Sequence, residues 1–385
     1  MWNKRVTRRH FLATSAAGAA MVCGGCATAA LPEERLGAVF PSYTDDETGA
    51  RVFVLTPGEA EDQVIYQTHP KWTPDMAYLV FLSRRSSEHM SPHALEMATG
   101  EIKPLVGGRP VACSMAWDRT KLFYFQNREL FVKDVVKSFH GKPPLLRLGV
   151  LPEQCLGFSG GISVDADGRT VYAGVELEKG ARWGIVAFDG KRQAWRTVLE
   201  TDWKVGHTQA HPQRPGRLLF CHETGGDAPQ RTWYVNADGS GLRPFYKETY
   251  DEWVTHEVWW GKDRIIFTIW PYDEAHKEKP YGIAQAWLDK PGMEIIARYP
   301  AWHTDGSRDG QWALGDDFKR NIWLVRMADR ERRLLTGRHC GKGFKTHPHG
   351  SFTPESRALI FNSSKRGAPE IVYAPLPEWE TLPKA

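Results

Sequence analysis

A short polar turn between two apolar runs recurs along this chain about every 47 residues, and a period of that size points to stacked repeats. The copies can be read directly. Pro70-Lys71-Trp72-Thr73-Pro74-Asp75 precedes Tyr78-Leu79-Val80-Phe81, and Ala116-Trp117-Asp118 precedes Leu122-Phe123-Tyr124. Ser163 to Gly168 precedes Val171-Tyr172-Ala173, and His211 to Gly216 precedes Leu218-Leu219-Phe220. Trp259 to Asp263 precedes Ile265-Ile266-Phe267, Ser307 to Gly310 precedes Trp312-Ala313-Leu314, and Phe352 to Ser356 precedes Leu359-Ile360-Phe361. Each copy reads as strand, tight turn, strand, and several end in a second hairpin such as Leu95-Glu96-Met97 before Thr99-Gly100-Glu101. Such units cannot bury both faces alone and must stack on their neighbours. The expected fold is therefore all-β, a seven-bladed β-propeller of four-stranded blades filling residues 31–385 as one domain. Arg51 to Leu55 is a spare strand placed to close the ring with the last blade. An array of β-sandwich domains is the alternative, but nothing in the sequence resembles a linker. The 36 Gly, 25 Pro and 16 Trp suit many short connections and blade-to-blade packing.

Residues 1–30 read as an address. Thr7-Arg8-Arg9-His10-Phe11-Leu12 leads into a mild apolar run from Ala13 to Val22, then small residues at Ala27-Thr28-Ala29. This is a signal-peptide pattern resembling the twin-arginine export signal, and it predicts a periplasmic or otherwise exported protein. Cys26 after Gly24-Gly25 is a candidate lipid-anchor site. The chain's formal net charge of +4 comes entirely from Lys4, Arg5, Arg8 and Arg9, because residues 1–30 hold no acid. The remainder is neutral, which removes the compositional case for nucleic-acid binding. Of six cysteines, Cys113, Cys155, Cys221 and Cys340 lie beyond this segment, far apart and without metal-knuckle spacing, and read as free thiols.

In a propeller, residues one period apart on the first strands converge at one mouth of the ring. Gln209, His256, His303 and His349 are separated by about 47 residues, the repeat period. His347-Pro348-His349 adds a second ring: in an extended strand, residues i and i+2 share a face, so both imidazoles can reach one ion. His303 can complete the set, and neutral imidazoles suit transition metals better than calcium. Arg231 opens the run Arg231-Thr232-Trp233-Tyr234 and reads either as a solvated strand end or as a fork for a substrate carboxylate.

These residues carry a resemblance. Cys221-His222-Glu223, Gln230-Arg231-Thr232-Trp233, Asn236-Ala237-Asp238-Gly239, Thr255-His256-Glu257, and His347-Pro348-His349 with Ser351-Phe352-Thr353-Pro354 together resemble the oligogalacturonate lyases, polysaccharide lyase family 22. The likeness runs over most of residues 31–385. TolB-type propellers share the blade pattern but not this residue set. The resemblance implies a seven-bladed propeller that binds a divalent metal, typically manganese, and cleaves oligogalacturonides by β-elimination. It also implies His303, His347 and His349 as metal ligands, His256 as catalytic base and Arg231 as catalytic arginine. The family has a glutamine ligand just before the His-x-His pair; here Phe344-Lys345-Thr346 stand near that place, and Gln209 is the residue in period that could substitute. Familiar members are cytoplasmic, whereas this chain carries an export pattern, which leaves room for another uronate substrate.

The implied chemistry suits the residue types. A cation on the uronate carboxylate stabilises developing negative charge, and a neutral histidine takes the proton. Trp259, Trp302 and Gln209 are candidate substrate contacts, with Trp233 a further aromatic face. The expected partner is an acidic oligosaccharide. The alternatives are a non-catalytic TolB-like envelope propeller, which predicts no bound metal, and a propeller hydrolase, which would leave no double bond in its product. A serine hydrolase is disfavoured because no Gly-x-Ser-x-Gly is present.

Overall fold

The computed structural model describes residues 32–385 except 59, 142, 250, 251, 272, 273, 342, 344 and 345. The leader read over residues 1–30, with Cys26, lies outside the described residues. Within them the chain forms seven sheets, six of four strands and one of five. The expected seven-bladed propeller is what the chain builds.

Blade one comprises Asp62–Val64, Tyr78–Ser83, Ser91–Glu96 and Ile102–Pro104, and blades two to six follow with the same up-and-down antiparallel order. The first strand of each lines the central channel. Those that matter below are Val205–Ala210 in blade four, Glu252–Trp260 in blade five and Ala301–Gly306 in blade six.

The spare strand closes the ring as the sequence led one to expect. Blade seven consists of Ser351–Phe352, Ala358–Ser363 and Glu370–Pro375, and its next strand is Arg51–Val54 from the other end of the chain. Phe53 pairs with Tyr373 and Val54 with Val372, while Ser42–Thr44 adds a fifth strand outside.

Middle strands are buried on both faces because each lies between two neighbouring blades. Ala358–Ser363 is buried at every position. Its alternation sorts the contacts: Leu359 and Phe361 pack with Leu314 and Leu324 of blade six, whereas Ala358 and Ile360 pack with Leu79 and Phe81 of blade one. Each such side chain contributes about 1.5–3 kcal/mol by leaving water.

The recurring turn is held by one hydroxyl. Thr73, Ser307 and Thr353 accept from the backbone N–H five positions on, at 3.0, 2.9 and 3.1 Å, and so start the next strand. Two short helices, Glu33–Val39 and Val135–His140, lie on the periphery. No helix among the described residues is long and apolar enough to cross a membrane. Cys113, Cys155 and Cys221 are free thiols, as their spacing suggested.

Candidate active site

The channel-lining strands of blades four, five and six do not run straight. Their pairing slips between Gly206 and Gln209, between Thr255 and Val258, and between Ala301 and Thr304. Such bulges re-aim a side chain out of the ladder. Each carries a histidine: His207, His256 and His303. His207, His256 and His349 have φ of 44°, 56° and 47°, a left-handed conformation that costs about 1–3 kcal/mol per residue. Blade three has Gly160 and Gly161 in its corresponding slip, and a β-carbon on Gly160 would stand 2.7 Å from Gly206 Cα.

His303, His347 and His349 form a cluster whose ligand atoms all lie within 4.8 Å of one another. The His303 and His349 rings meet edge to face with centroids 4.1 Å apart. Asp316, on the neighbouring strand Trp312–Asp317, orients His303: its carboxylate accepts from the ring Nδ1 at 2.9 Å and from the backbone N–H at 2.8 Å. A carboxylate behind Nδ1 fixes the proton there and leaves Nε2 bare for a ligand. Burial, reinforced by His347 and Arg320, keeps His303 neutral far below the usual histidine range. Burial and then His303 push His349 down to about 3, and burial and then Arg320 lower His347. Neutral imidazoles are the form a metal requires. The three residues therefore fit a divalent cation by donor type, proximity and protonation.

The pair His347-Pro348-His349 reaches this arrangement by a route other than the expected strand. The segment before Ser351–Phe352 is irregular, and His349 is left-handed, so the rings converge through a backbone turn and not through strand alternation. Arg320 Nη2 donates to His347 Nε2 at 3.0 Å, which shows that this nitrogen holds a lone pair.

His256 lies beside the cluster, its ring 4.3 Å from that of His303. Tyr66, between the first two strands of blade one, stands 2.6 Å from His256 Nδ1. The tyrosine ring also contacts those of His207, His303 and His349. His256 Nε2 is buried and has no hydrogen-bond partner among the described residues. Burial, then the nearby His303 and His207, holds His256 well below its ordinary pKa of 6.5, so the ring is neutral. In the tautomer whose Nδ1–H donates to the Tyr66 oxygen, Nε2 carries the lone pair of a base.

Arg231 is not an open fork. Its side chain is 1% exposed, and Nε donates to Glu257 at 3.1 Å, with Glu223 at 3.5 Å. Glu248 accepts from its backbone N–H at 2.8 Å. His207 lies 3.0 Å from the other Glu257 oxygen. Burial opposes ionisation of Glu257, but Arg231 and His207 outweigh it and hold the carboxyl well below the usual range. His207, Cys221 and Glu223 also come within metal-ligand distance of one another. Burial raises the Cys221 thiol well above its normal value and Glu223 is engaged by Arg231, so this group reads as the cage around the arginine.

The substrate-contact candidates separate. Trp302 stays at the histidine mouth, half-buried, 4.9 Å from the His256 ring and 5.2 Å from Phe318. Gln209 is buried, 1% exposed, and its amide donates to the Glu257 carbonyl at 2.8 Å, bracing blades four and five. Trp259 points to the far end of the channel, where it lines a cavity of about 150 Å³ with Lys71, Asp305 and Phe352. Trp233 donates to the Gln230 carbonyl and packs on Trp203.

The bulge explains why Gln209 lies deeper than the histidines it is in period with. Counted back from the hairpin turns, His69, His207, His303 and His349 each stand four residues before Thr73, His211, Ser307 and Thr353. A plain period of ~47 residues, taken backwards from His256, lands two positions too deep, on the next layer of the channel. Counting from the turn would have found His207. It would not have found Tyr66, Asp316, Glu257 or Arg320, which reach the mouth from other strands and turns.

No family model matches the chain. It is 21% identical to the oligogalacturonate lyase of Dickeya dadantii over 389 residues, covering 90% of this chain and 98% of that protein. A solved structure described as oligogalacturonate lyase in complex with manganese superimposes with a TM-score of 0.77 at 22% identity, covering 88% of this chain and 96% of the other. The oligogalacturonate lyase structure from Vibrio parahaemolyticus gives 0.76 at 21% identity, covering 88% and 97%. In sequence over nine tenths of its length, and in fold, the chain resembles the oligogalacturonate lyases.

Proposed function

We propose that the protein is a metal-dependent lyase that cleaves uronate-containing oligosaccharides by β-elimination, leaving a 4,5-unsaturated uronate. The observation that carries this reading is the bare, buried Nε2 of His256 beside three neutral histidines that converge within 4.8 Å. A base and a cation site side by side are what removal of a proton α to a carboxylate demands.

The residues divide the work as follows. His303, His347 and His349 would hold the cation, with Mn²⁺ the favoured identity. When bound, it draws charge from the uronate carboxylate and acidifies the α-proton. His256 Nε2 takes the C5 proton; the C5–H electron pair becomes the C4–C5 double bond as C4–O4 breaks, and the departing O4 keeps that bond's electron pair and is protonated from solvent. Tyr66 holds the His256 ring at Nδ1, so the base does not rotate away from its target. Arg231 contributes positive charge from behind, fixed by Glu257 and Glu223. Trp302 offers a sugar-sized apolar face beside the base. Oligogalacturonides are the first substrates to test, since the similar proteins carry that name.

The test is incubation with oligogalacturonate and Mn²⁺, following the ultraviolet absorbance of an unsaturated uronate. Its absence across pectic, alginate and glycosaminoglycan oligomers would sink the reading. The leader pattern supports export by the twin-arginine route, with Cys26 a candidate lipid anchor. Retention in the cytoplasm of the wild type, equal to that of an Arg8→Lys, Arg9→Lys variant, would count against it.

A further inference from the structure

Blade six carries a feature that neither metal binding nor proton transfer uses. The pairing of Ala301 with Asp317 sets the turn Phe318-Lys319-Arg320 at the histidine mouth. Asp317 makes this turn rigid: Oδ1 accepts from the N–H groups of Lys319 and Asn321 at 2.8 and 3.0 Å, and Oδ2 from the Trp323 indole at 2.9 Å. Arg320 itself is left-handed, with φ of 65°.

The turn presents two unmatched groups. Phe318 is 52% exposed, unusual for a large apolar side chain, and is not loose. Its ring packs on Trp302 and on Trp270, each at 5.2 Å, so an aromatic shelf runs from solvent to the ring of His256. Arg320 forms no ion pair with a carboxylate among the described residues. Its Nη2 is spent on the His347 lone pair, and its buried Nη1 has no partner. The Asp316 carboxylate feels its charge but is not paired with it, so this always-charged fork is held against neutral imidazoles without a bonded anion.

We propose that the Phe318–Arg320 turn is the recognition element for the sugar acid. One pyranose ring lies on Phe318 and Trp302, and Arg320 takes a substrate carboxylate in exchange for His347. This rests on the lyase reading. A guanidinium and a divalent cation cannot share His347 Nε2, and they repel whichever ring nitrogen the cation takes. A carboxylate between them relieves that repulsion. Arg320 therefore weakens cation binding in the empty protein and strengthens substrate binding in the loaded one.

The experiment measures both affinities by calorimetry, together with turnover, for wild type, Arg320→Gln, Arg320→Lys and Phe318→Ala. Arg320→Gln is expected to bind Mn²⁺ more tightly without substrate. Mn²⁺-loaded Arg320→Gln should bind trigalacturonate about tenfold more weakly or worse, the loss of one charge-assisted bond. Arg320→Lys should recover part of this, and Phe318→Ala should raise KM far more than it lowers kcat. Weaker Mn²⁺ binding in Arg320→Gln, or unchanged trigalacturonate affinity in both Arg320→Gln and Phe318→Ala, overturns the proposal. A wild type that binds trigalacturonate through Arg320 but cleaves no pectic, alginate or glycosaminoglycan oligomer would sink the lyase reading and leave this recognition standing. A wild type that neither binds nor cleaves any of these oligomers overturns both.

Discussion

Tyr66 and His256, 190 residues apart in sequence, meet at 2.6 Å. The contact uses Nδ1 and so leaves Nε2 as the free nitrogen of the imidazole. Tyr66→Phe keeps the ring and its packing but removes the oxygen. The expected result is a fall in kcat of about 10–100-fold, the usual effect of losing a group that orients a reactive histidine. KM and bound manganese should change little. An unchanged kcat would show that the contact does not orient the base.

The protonation of His256 sets the acid side of the pH profile. Only the neutral form can take a proton. Burial first, then His303 and His207, moves its pKa well below 6.5, and a bound cation nearby would move it the same way. As pH falls from 8 to 6, kcat is therefore expected to stay level, with loss only at lower pH. A half-maximal point above 6.5 in the kcat profile would contradict this.

Chelation should abolish turnover, and Mn²⁺ should restore it. His349→Ala should end stoichiometric metal binding. Asp316→Asn is the finer probe, because the amide keeps the shape but not the charge behind His303 Nδ1. It should weaken Mn²⁺ affinity by about 10–100-fold in a competition with a fluorescent chelator.

Arg231 and Glu257 form a fully buried pair, so Arg231→Ala cannot be treated as a purely functional variant. Removing one partner of such a pair costs about 3–5 kcal/mol. Glu257→Gln is expected to lose that much in denaturant unfolding at pH 7. The sign with pH follows from the lowered carboxyl: the pair's stabilisation is complete above the ordinary value of 4.5 and is lost as pH falls towards the folded value. The gap between wild type and Glu257→Gln should thus narrow in acid. Arg231→Lys keeps the charge and not the fork, and should lower kcat about 100-fold through misplacement of the cationic group.

Gly160 and Gly161 sit side by side with φ of 75° and 78°, yet only Gly160 faces other backbone. Gly161→Ala should cost about 1–2 kcal/mol for the left-handed alanine. Gly160→Ala should cost about 1–3 kcal/mol more, because its methyl must displace the Gly206 backbone. Equal melting temperatures for the two variants would contradict the close approach of blades three and four.

Most of the fold was legible because propeller blades repeat their grammar locally. The polar turn, the apolar pair of strands and the spare Arg51–Leu55 strand are all short-range patterns. His256, His303, His347 and His349 were legible for the same reason. What escaped lies in geometry that a fixed period cannot carry. A bulge beside His207 moved the in-period choice to Gln209, and a left-handed His349 replaced the expected strand. Asp316, Glu257 and Tyr66 act through contacts between strands or blades, and no spacing in the sequence marks such a meeting. Trp259 and Trp302 look alike as letters; their separation to opposite ends of the channel follows only from strand direction.

The closure between Arg51–Val54 and Glu370–Pro375 has a consequence for the order of events in folding. His347 and His349 belong to the blade that needs both ends of the chain. A ribosome that has released blades one to six has made the base, the arginine cage and one metal ligand, but not the other two. The final clasp is also the most non-local pairing in the molecule, and such pairings form slowly. Competence to hold the cation is therefore expected to mature last and to report completion of the whole ring. Trimming the chain past Arg51 should empty the cation site as surely as changing a ligand.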